Sequence, residues 1–352
     1  MASIQRYKTE ARNVTLRDVA DALGVSKATV SLAINRSDLV ARKTRDRILK
    51  KVDELGYIYN RSAAGLSTGR TRAAGLAVHD ITNPYFTEVS AAIESVLSQS
   101  RMMSFLCNTN ESLERQERFI QTLIEYRADG LILNPAAGTT VKALQPLINR
   151  RLPTVLLTRD VKGTDLDFVG NDEFLALKLA TGHLVGLGHH CIAMIGGGQR
   201  TSASKLRRAG FKAAMDEGGL PIDSDLVVDC ATNPKAGEAA VNKVMACKNR
   251  PTAIACFTDL VALGVISGLY RMGIVPGRDV AVVGCDDIEE TGRFYVQMTT
   301  VKIHKRSIGR TAADMLMRRI AEPELPPQRI IMKPELVIRS SCHKSPIRTS
   351  RN

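Results

Sequence analysis

One stretch near the start of the chain, VTLRDVADALGVSKATVSLAINRS (residues 14–37), constrains the fold more than any other feature. Thr15 stands three residues before Asp18, the spacing of a capping box in which hydroxyl and carboxylate satisfy each other's backbone N–H. Leu16, Val19, Ala20 and Leu23 recur at helical spacing and turn one apolar face inward. Gly24 accepts a positive φ and ends that helix, and Val25 plugs the corner. Ser26 caps a second helix whose inner face carries Ala28 or Thr29, Val30, Ala33 and Ile34. A third helix from about Thr44 to Leu55 points Ile48, Leu49, Val52 and Leu55 inward. Two short helices joined by a tight glycine turn and closed by a third predict a helix-turn-helix head.

Such a unit offers the N-terminal end of its second helix to the major groove, so Lys27, Ala28, Ser31 and Leu32 are the candidates to face base edges. Lys27 suits guanine or a phosphate, and Ala28 and Leu32 suit methyl contacts such as thymine offers. Thr15, Ser26, Thr29 and Asn35 supply hydroxyl and amide donors to phosphates. Charge agrees with a polyanionic partner for the head. The chain carries 49 Lys+Arg against 36 Asp+Glu, net +13. Residues 1–72 hold 15 against 7, residues 73–332 hold 29 against 28, and the last 20 residues hold 5 against 1. A basic head on a nearly neutral body implies that the head meets nucleic acid and the body does something else.

A length of 352 residues implies two or three domains. With 44% apolar and 24% charged residues, wholesale disorder is excluded. No apolar run is long enough for a membrane helix, and residues 1–12 lack the apolar core of a secretory leader. Seven scattered cysteines without a C-x-x-C pair point to reduced thiols in a cytoplasm rather than disulfides or zinc. No cofactor or metal site is expected.

From Ala74 onward short apolar runs alternate with amphipathic stretches: AAGLAV then TEVSAAIESVLSQ, MMSFLCN then ESLERQERFIQTLIEY, and so on to AVVGCDD. That alternation predicts a doubly wound α/β architecture whose ligands bind beyond the C-terminal strand ends. The loops there are polar. They hold His79-Asp80 through Asn83, Tyr85 and Phe86; Arg159-Asp160; Gly198 through Thr201 with Arg207 beyond; Thr258-Asp259; and Asp286-Asp287. Carboxylates, guanidiniums and rings from five loops suit a polyhydroxy ligand, while Asp259 and Asp287 also read as helix caps. His189-His190 reads as a cap or an exposed turn.

The head, through Leu55-Gly56-Tyr57 and the Asn60-Arg61, Ala63 and Leu66 segment, resembles the LacI family of bacterial transcription regulators. So does the body, in DITNPYF, Asp129-Gly130-Leu131, VGNDEFLALKLATGHLVGLGHHCIAMIGG, RRAGF, FTDLVALGV and VVGCDD. The resemblance implies a head at residues 1–57 and a hinge helix and linker at 58–72. A periplasmic-binding-protein-like effector and dimerisation domain would follow at 73–341. Its two subdomains would be about 73–171 with 302–332, and about 172–301 with 333–341; a basic tail would occupy 342–352. It implies DNA contacts from Tyr57, Asn60 and Ala63, and a minor-groove wedge at Leu66 on a hinge that orders on DNA, in keeping with the weak helix formers Ser62, Gly65, Ser67, Thr68 and Gly69. The effector, a sugar or sugar derivative, would sit between the subdomains against Asp80, Asn83, Tyr85, Phe86, Arg159, Arg200, Thr201, Arg207, Asp259 and Asp286. The expected whole is a cytoplasmic, nucleoid-associated homodimeric repressor on a pseudo-palindromic operator. Four positions depart from the family pattern: Ala41 for a serine cap, Tyr59 for a proline, Thr158 for an aspartate and Thr258 for an asparagine. Leu32, Thr158-Arg159 and the GGGQ loop are most similar to maltose-regulon-type members.

Two rival classes fit less well. CIAMIGGGQRTS lacks the Lys-Ser/Thr of a P-loop and the G-x-G-x-x-G spacing, and no catalytic triad can be assembled, which argues against an enzyme. A secreted solute receptor would not need the basic head.

Overall fold

A computed structural model describes residues 14–35, 37–59, 70–198, 200–293 and 295–344. The chain divides into two units, residues 1–71 and 72–352. In the first, α1 (Leu16–Leu23), α2 (Lys27–Asn35) and α3 (Arg42–Leu55) enclose a small core of Val19, Ala20, Val30, Ala33 and Ile48. The capping box forms: Thr15 Oγ1 accepts from Asp18 N and Asp18 Oδ2 from Thr15 N at 2.8 Å. Gly24 closes α1 at φ 65°, a conformation that needs no Cβ. Ser26 Oγ accepts from Thr29 N at 3.0 Å and starts α2. Helix α3 begins at Arg42, two residues before the sequence-based start at Thr44, although Ala41 gives it no side-chain cap. Arg47 supplies a tertiary tie instead, donating to Leu23 O at the end of α1 at 3.0 Å. Ala28 is exposed, so the inner face of α2 is carried by Val30, Ala33 and Ile34. The hinge positions Asn60, Ala63 and Leu66 lie outside the described residues.

The second unit holds two six-stranded sheets. The first, in the order β11-β5-β4-β3-β1-β2, contains β1 (Ala73–Val78), β2 (Met103–Asn108), β3 (Gly130–Leu133), β4 (Thr154–Leu157), β5 (Asp167–Asn171) and β11 (Arg329–Met332), all parallel. The second, in the order β12-β10-β9-β8-β6-β7, contains β6 (Ile192–Ile195), β7 (Val227–Val228), β8 (Ala253–Cys256), β9 (Ala281–Asp286), β10 (Thr299–Lys302) and β12 (Glu335–Val337). Only β12 runs antiparallel, against β10. The chain therefore passes between the sheets three times: after β5, after β10 and after β11.

The connecting helices follow from amphipathic spacing and caps. They are α4 (Pro84–Gln99), α5 (Leu113–Glu125), α6 (Val141–Asn149), α7 (Glu173–Gly186), α8 (Ser202–Glu217), α9 (Pro234–Ala246), α10 (Asp259–Arg271) and α11 (Lys305–Ala321). Asn83, Ser112, Thr140, Asp172, Thr201, Asn233 and Thr258 each accept a first-turn N–H. Helix α11 lies so close to α4 that a Cβ on Gly309 would fall 2.5 Å from Val89 O. His189 is neither cap nor exposed: it is fully buried, its Nδ1 pairs with Thr252 Oγ1 at 2.9 Å, and its Nε2 meets His343 O at 2.9 Å. That bond, with Ser341 Oγ donating to Val282 O at 2.6 Å, seats the first residues of the basic tail on the second sheet. No described helix is long and apolar enough to cross a membrane.

Candidate functional site

On the head, Lys27, Ala28 and Leu32 are exposed and Ser31 is half-buried, on the side of α2 away from Val30 and Ala33. The hydroxyls of Thr15, Ser26 and Thr29 serve the helix starts: Ser26 Oγ lies 2.8 Å from Thr29 Oγ1, and Thr15 Oγ1 donates to Asp18 at 2.7 Å. Asn35, expected at a phosphate, donates to Ser31 O at 3.0 Å and to Tyr59 Oη at 2.6 Å, so Tyr59 braces the end of α2. Tyr57 packs against the head's core.

In the second unit a cavity of about 60 Å³ lies at the C-terminal strand ends between the sheets. It is lined by His79, Asn83, Tyr85, Phe86, Thr158 and Arg159 from the first-sheet side. Glu173, Thr201, Ala203, Arg207, Thr232, Phe257, Thr258 and Asp286 line it from the second. At the centre is Arg207, 5% exposed, whose Nε donates to Glu173 and Nη1 to Phe257 O. Its Nη2 lies 3.5 Å from Asp286 Oδ1, and its guanidinium sits 4.6 Å from the centre of the Phe257 ring. One positive charge thus faces two carboxylates. Burial, which outweighs the pull of Arg207, pushes Asp286 up to about 7, with Asp259 and Glu173 adding repulsion.

A second guanidinium, Arg159, is gripped from behind. Its two terminal nitrogens donate to Glu111 at 2.9 and 2.7 Å, and Nη1 also reaches Pro135 O at 2.9 Å. Burial opposes ionisation of Glu111, but the hydrogen bonds and charge of Arg159 outweigh it and hold its pKa low. His79 stacks edge-on against Phe86 at 4.5 Å and pairs through Nδ1 with Asn134 at 3.0 Å. Burial first, then the charge of Arg159, lowers its pKa. Tyr85 Oη shares a 3.0 Å hydrogen bond with Thr158, and burial raises its pKa.

Seven of the ten residues expected at the effector therefore line one cavity: Asn83, Tyr85, Phe86, Arg159, Thr201, Arg207 and Asp286. Asn83 and Thr201 spend their side chains on capping α4 and α8. The other three do not. Asp80 braces its own loop, accepting from Thr82 N and Oγ1 at 2.9 and 2.6 Å, and Arg200 is exposed. Asp259 is fully buried beneath the cavity, accepting from Thr300 Oγ1 at 2.6 Å and Ile288 N at 2.9 Å. Burial pushes it up to about 6. Neither Asp259 nor Asp287 is a helix cap: Thr258 caps α10, and Asp287 accepts from Arg339 Nη2 at 2.6 Å. Glu173 and Phe257 escaped the sequence reading, and so did Glu111 behind Arg159. Glu173 follows the α7 cap Asp172 and looks like ordinary first-turn acid; only the packing of α7 against α8 brings it to Arg207.

Comparison with known proteins agrees with both units. Residues 15–60 match the family model for bacterial regulatory proteins of the lacI family, and residues 181–342 match a periplasmic binding protein-like domain. The HTH-type transcriptional repressor PurR of Vibrio parahaemolyticus is 34% identical over 94% of this chain and 99% of its own length. Among solved structures, the Lac repressor dimer bound to operator and the anti-inducer ONPF superposes with a TM-score of 0.84 at 25% identity, over 94% of this chain and 100% of that one. The transcriptional regulator CelR in its cellobiose complex superposes at 0.72 and 28%, with the same coverage. The chain belongs to the lacI family of bacterial regulatory proteins: it is a DNA-binding transcription regulator and not an enzyme.

Proposed function

We propose that this chain is a homodimeric, cytoplasmic repressor that reads a pseudo-palindromic operator and is controlled by an uncharged polyhydroxy effector, a sugar or close derivative. The observation that carries the effector reading is the charge balance of the cavity. Both guanidiniums already face carboxylates, Arg159 on Glu111 and Arg207 on Glu173 and Asp286. A phosphorylated or carboxylated ligand finds no spare cation among the described residues that line the cavity and must displace an internal ion pair. A neutral polyol meets donors and acceptors on Tyr85, Thr158 and Asp286 beside the apolar rings of Phe86 and Phe257. The cellobiose complex of CelR supports this class. The cavity has room for a few waters but not a sugar ring, so entry requires the two subdomains to part.

On the DNA side, Lys27, Ala28, Ser31 and Leu32 read bases. Thr15, Ser26, Thr29 and Tyr57, with Asn60 and Ala63, position the head, and Leu66 is the wedge. Asn35 acts by bracing α2. The head is residues 1–57 and the linker 58–72. The three crossovers support subdomains near 73–171 with 302–332, and 172–301 with 333–341. The dimer forms on the first subdomain, where edge strand β2 exposes Met103 (63%), Phe105 (43%) and Leu106 (52%) beside Tyr126. The Lac repressor dimer supports that state.

The test is selection from a random duplex pool, followed by thermal-shift titration with ribose, cellobiose and glucose 6-phosphate. The expected outcome is an inverted-repeat consensus, and stabilisation by a neutral saccharide but not by the phosphate. A pool with no enrichment would sink the operator reading, and stabilisation by glucose 6-phosphate alone would sink the neutral-effector reading.

A further inference from the structure

Lys305, the first residue of α11, occupies a place that the cavity chemistry does not explain. It stands on the crossover from the second sheet back to the first, with its side chain 7% exposed. Its Nζ donates to Asp286 O at 3.0 Å and Asp287 O at 2.6 Å, and lies 3.3 Å from Glu88 Oε1 on α4. A buried ammonium is tolerated only when its three N–H donors find acceptors. Here two acceptors belong to the second-sheet subdomain and the third to the first-sheet subdomain.

Each end of that bridge reaches the cavity. Asp286 and Asp287 hold φ of 133° and 53°, backbone that L-residues keep only where their surroundings over-determine it. The two carbonyl bonds to Lys305 help supply that restraint. The side chain of the same Asp286 faces Arg207 in the cavity. On the other side Glu88 belongs to α4, whose first turn contributes Tyr85 and Phe86 to the cavity wall. Glu88 is also met by Arg306 at 3.4 Å, and α4 and α11 are in close contact at Gly309.

We infer that Lys305 is a positioning residue that couples the state of Asp286 in the cavity to α4, through the Asp286 and Asp287 carbonyls on one side and Glu88 on the other. The inference rests on reading this cavity as the effector site, but its test needs no effector, so failure of either is seen separately. Hydrogen exchange is measured on the full chain for wild type, D286N, K305M, and D286N/K305M. D286N should change exchange in the first two turns of α4 by roughly fivefold or more, the lower end of typical allosteric coupling. In the K305M background the same change should vanish. Should K305M fail to fold, E88A decides: it removes the third acceptor, leaves the buried lysine on its two carbonyls, and should likewise block the D286N effect on α4. An α4 response to D286N that is equal with and without Lys305 or Glu88, or no response in wild type, overturns the coupling.

Discussion

The two units use polar chemistry in opposite ways. Among its described residues the head keeps an apolar core of five buried side chains and places its polar groups on helix starts and on the exposed side of α2. The effector unit buries Arg207, Glu173, Asp286, Asp259 and Lys305 in its interior. Burying charge is expensive, and hydrophobic replacements of similar volume are often at least as stable, so such a cluster at a cleft points to function rather than to stability. The head's sites are therefore a matter of surface, legible from helical spacing. Those of the effector unit are a matter of interior electrostatics.

The comparison breaks most sharply at Arg207. Arg207→Ala leaves Glu173 and Asp286 buried without a cation, and should cost roughly 3–5 kcal/mol in urea unfolding of the effector unit. It should also abolish saccharide stabilisation while the head still binds DNA. Loss below 1 kcal/mol would mean that solvation or protonation, not the guanidinium, makes the two carboxyl groups tolerable in the interior. The same cluster predicts a pH effect. Asp286, held near 7 against an ordinary 3.8, binds its proton more tightly when folded. Its contribution to stability is complete below about pH 4 and is lost as pH rises to about 7. Unfolding free energies of Asp286→Asn between pH 4 and 7.5 should lack that falling component, and parallel profiles for the two proteins would remove Asp286 from the account.

Packing comes next in size. Gly309→Ala drives a Cβ to 2.5 Å from Val89 O and 2.8 Å from the Ala92 Cβ, which should cost about 1–3 kcal/mol as α4 and α11 are pushed apart. A neutral Gly309→Ala, read by thermal melting, would show that the α4–α11 contact gives way easily. The smallest effects lie in the head. Thr15→Ala removes the capping box and should lower head stability by about 1 kcal/mol; Ala41→Ser, adding the missing cap to α3, should raise it by up to about 1 kcal/mol. Both are read from the melting of the head. An unchanged head in both variants would mean that tertiary ties such as Arg47 to Leu23, not caps, set its helices.

Much of this was legible in the sequence. The Thr15–Asp18 box, Gly24 and the Val19, Ala20, Val30 and Ala33 spacing specify the head because caps and helical periodicity are local. The start of α3 was misplaced because its anchor, Arg47 on Leu23 O, is 24 residues away in sequence. In the effector unit, alternating strands and helices marked the loops, and Tyr85, Phe86, Arg159, Arg207 and Asp286 do meet in one cavity. The pair Thr258-Asp259 shows where local reading stops. Two adjacent polar residues leave the same strand end, yet Thr258 lines the cavity while Asp259 turns beneath it to Thr300 and Ile288. Successive side chains point differently, and which direction is the cavity depends on β10, which lies beyond β9 in the sheet and supplies Thr300 to Asp259.

By itself the sequence determined the helix-turn-helix, the α/β character of the body and the placing of the surplus charge, since each follows from periodicity, caps and composition. Only the tertiary structure decided the ion partners. Glu111 reaches Arg159 across 48 positions, Glu173 reaches Arg207 across 34, and Lys305 spans from Asp286 to Glu88. The first two pairings form within one sheet's side of the molecule, between the loops after β2 and β4 and between the packed helices α7 and α8, while Lys305 lies on a crossing between the sheets; buried charges find their partners through that topology rather than through neighbours in the chain.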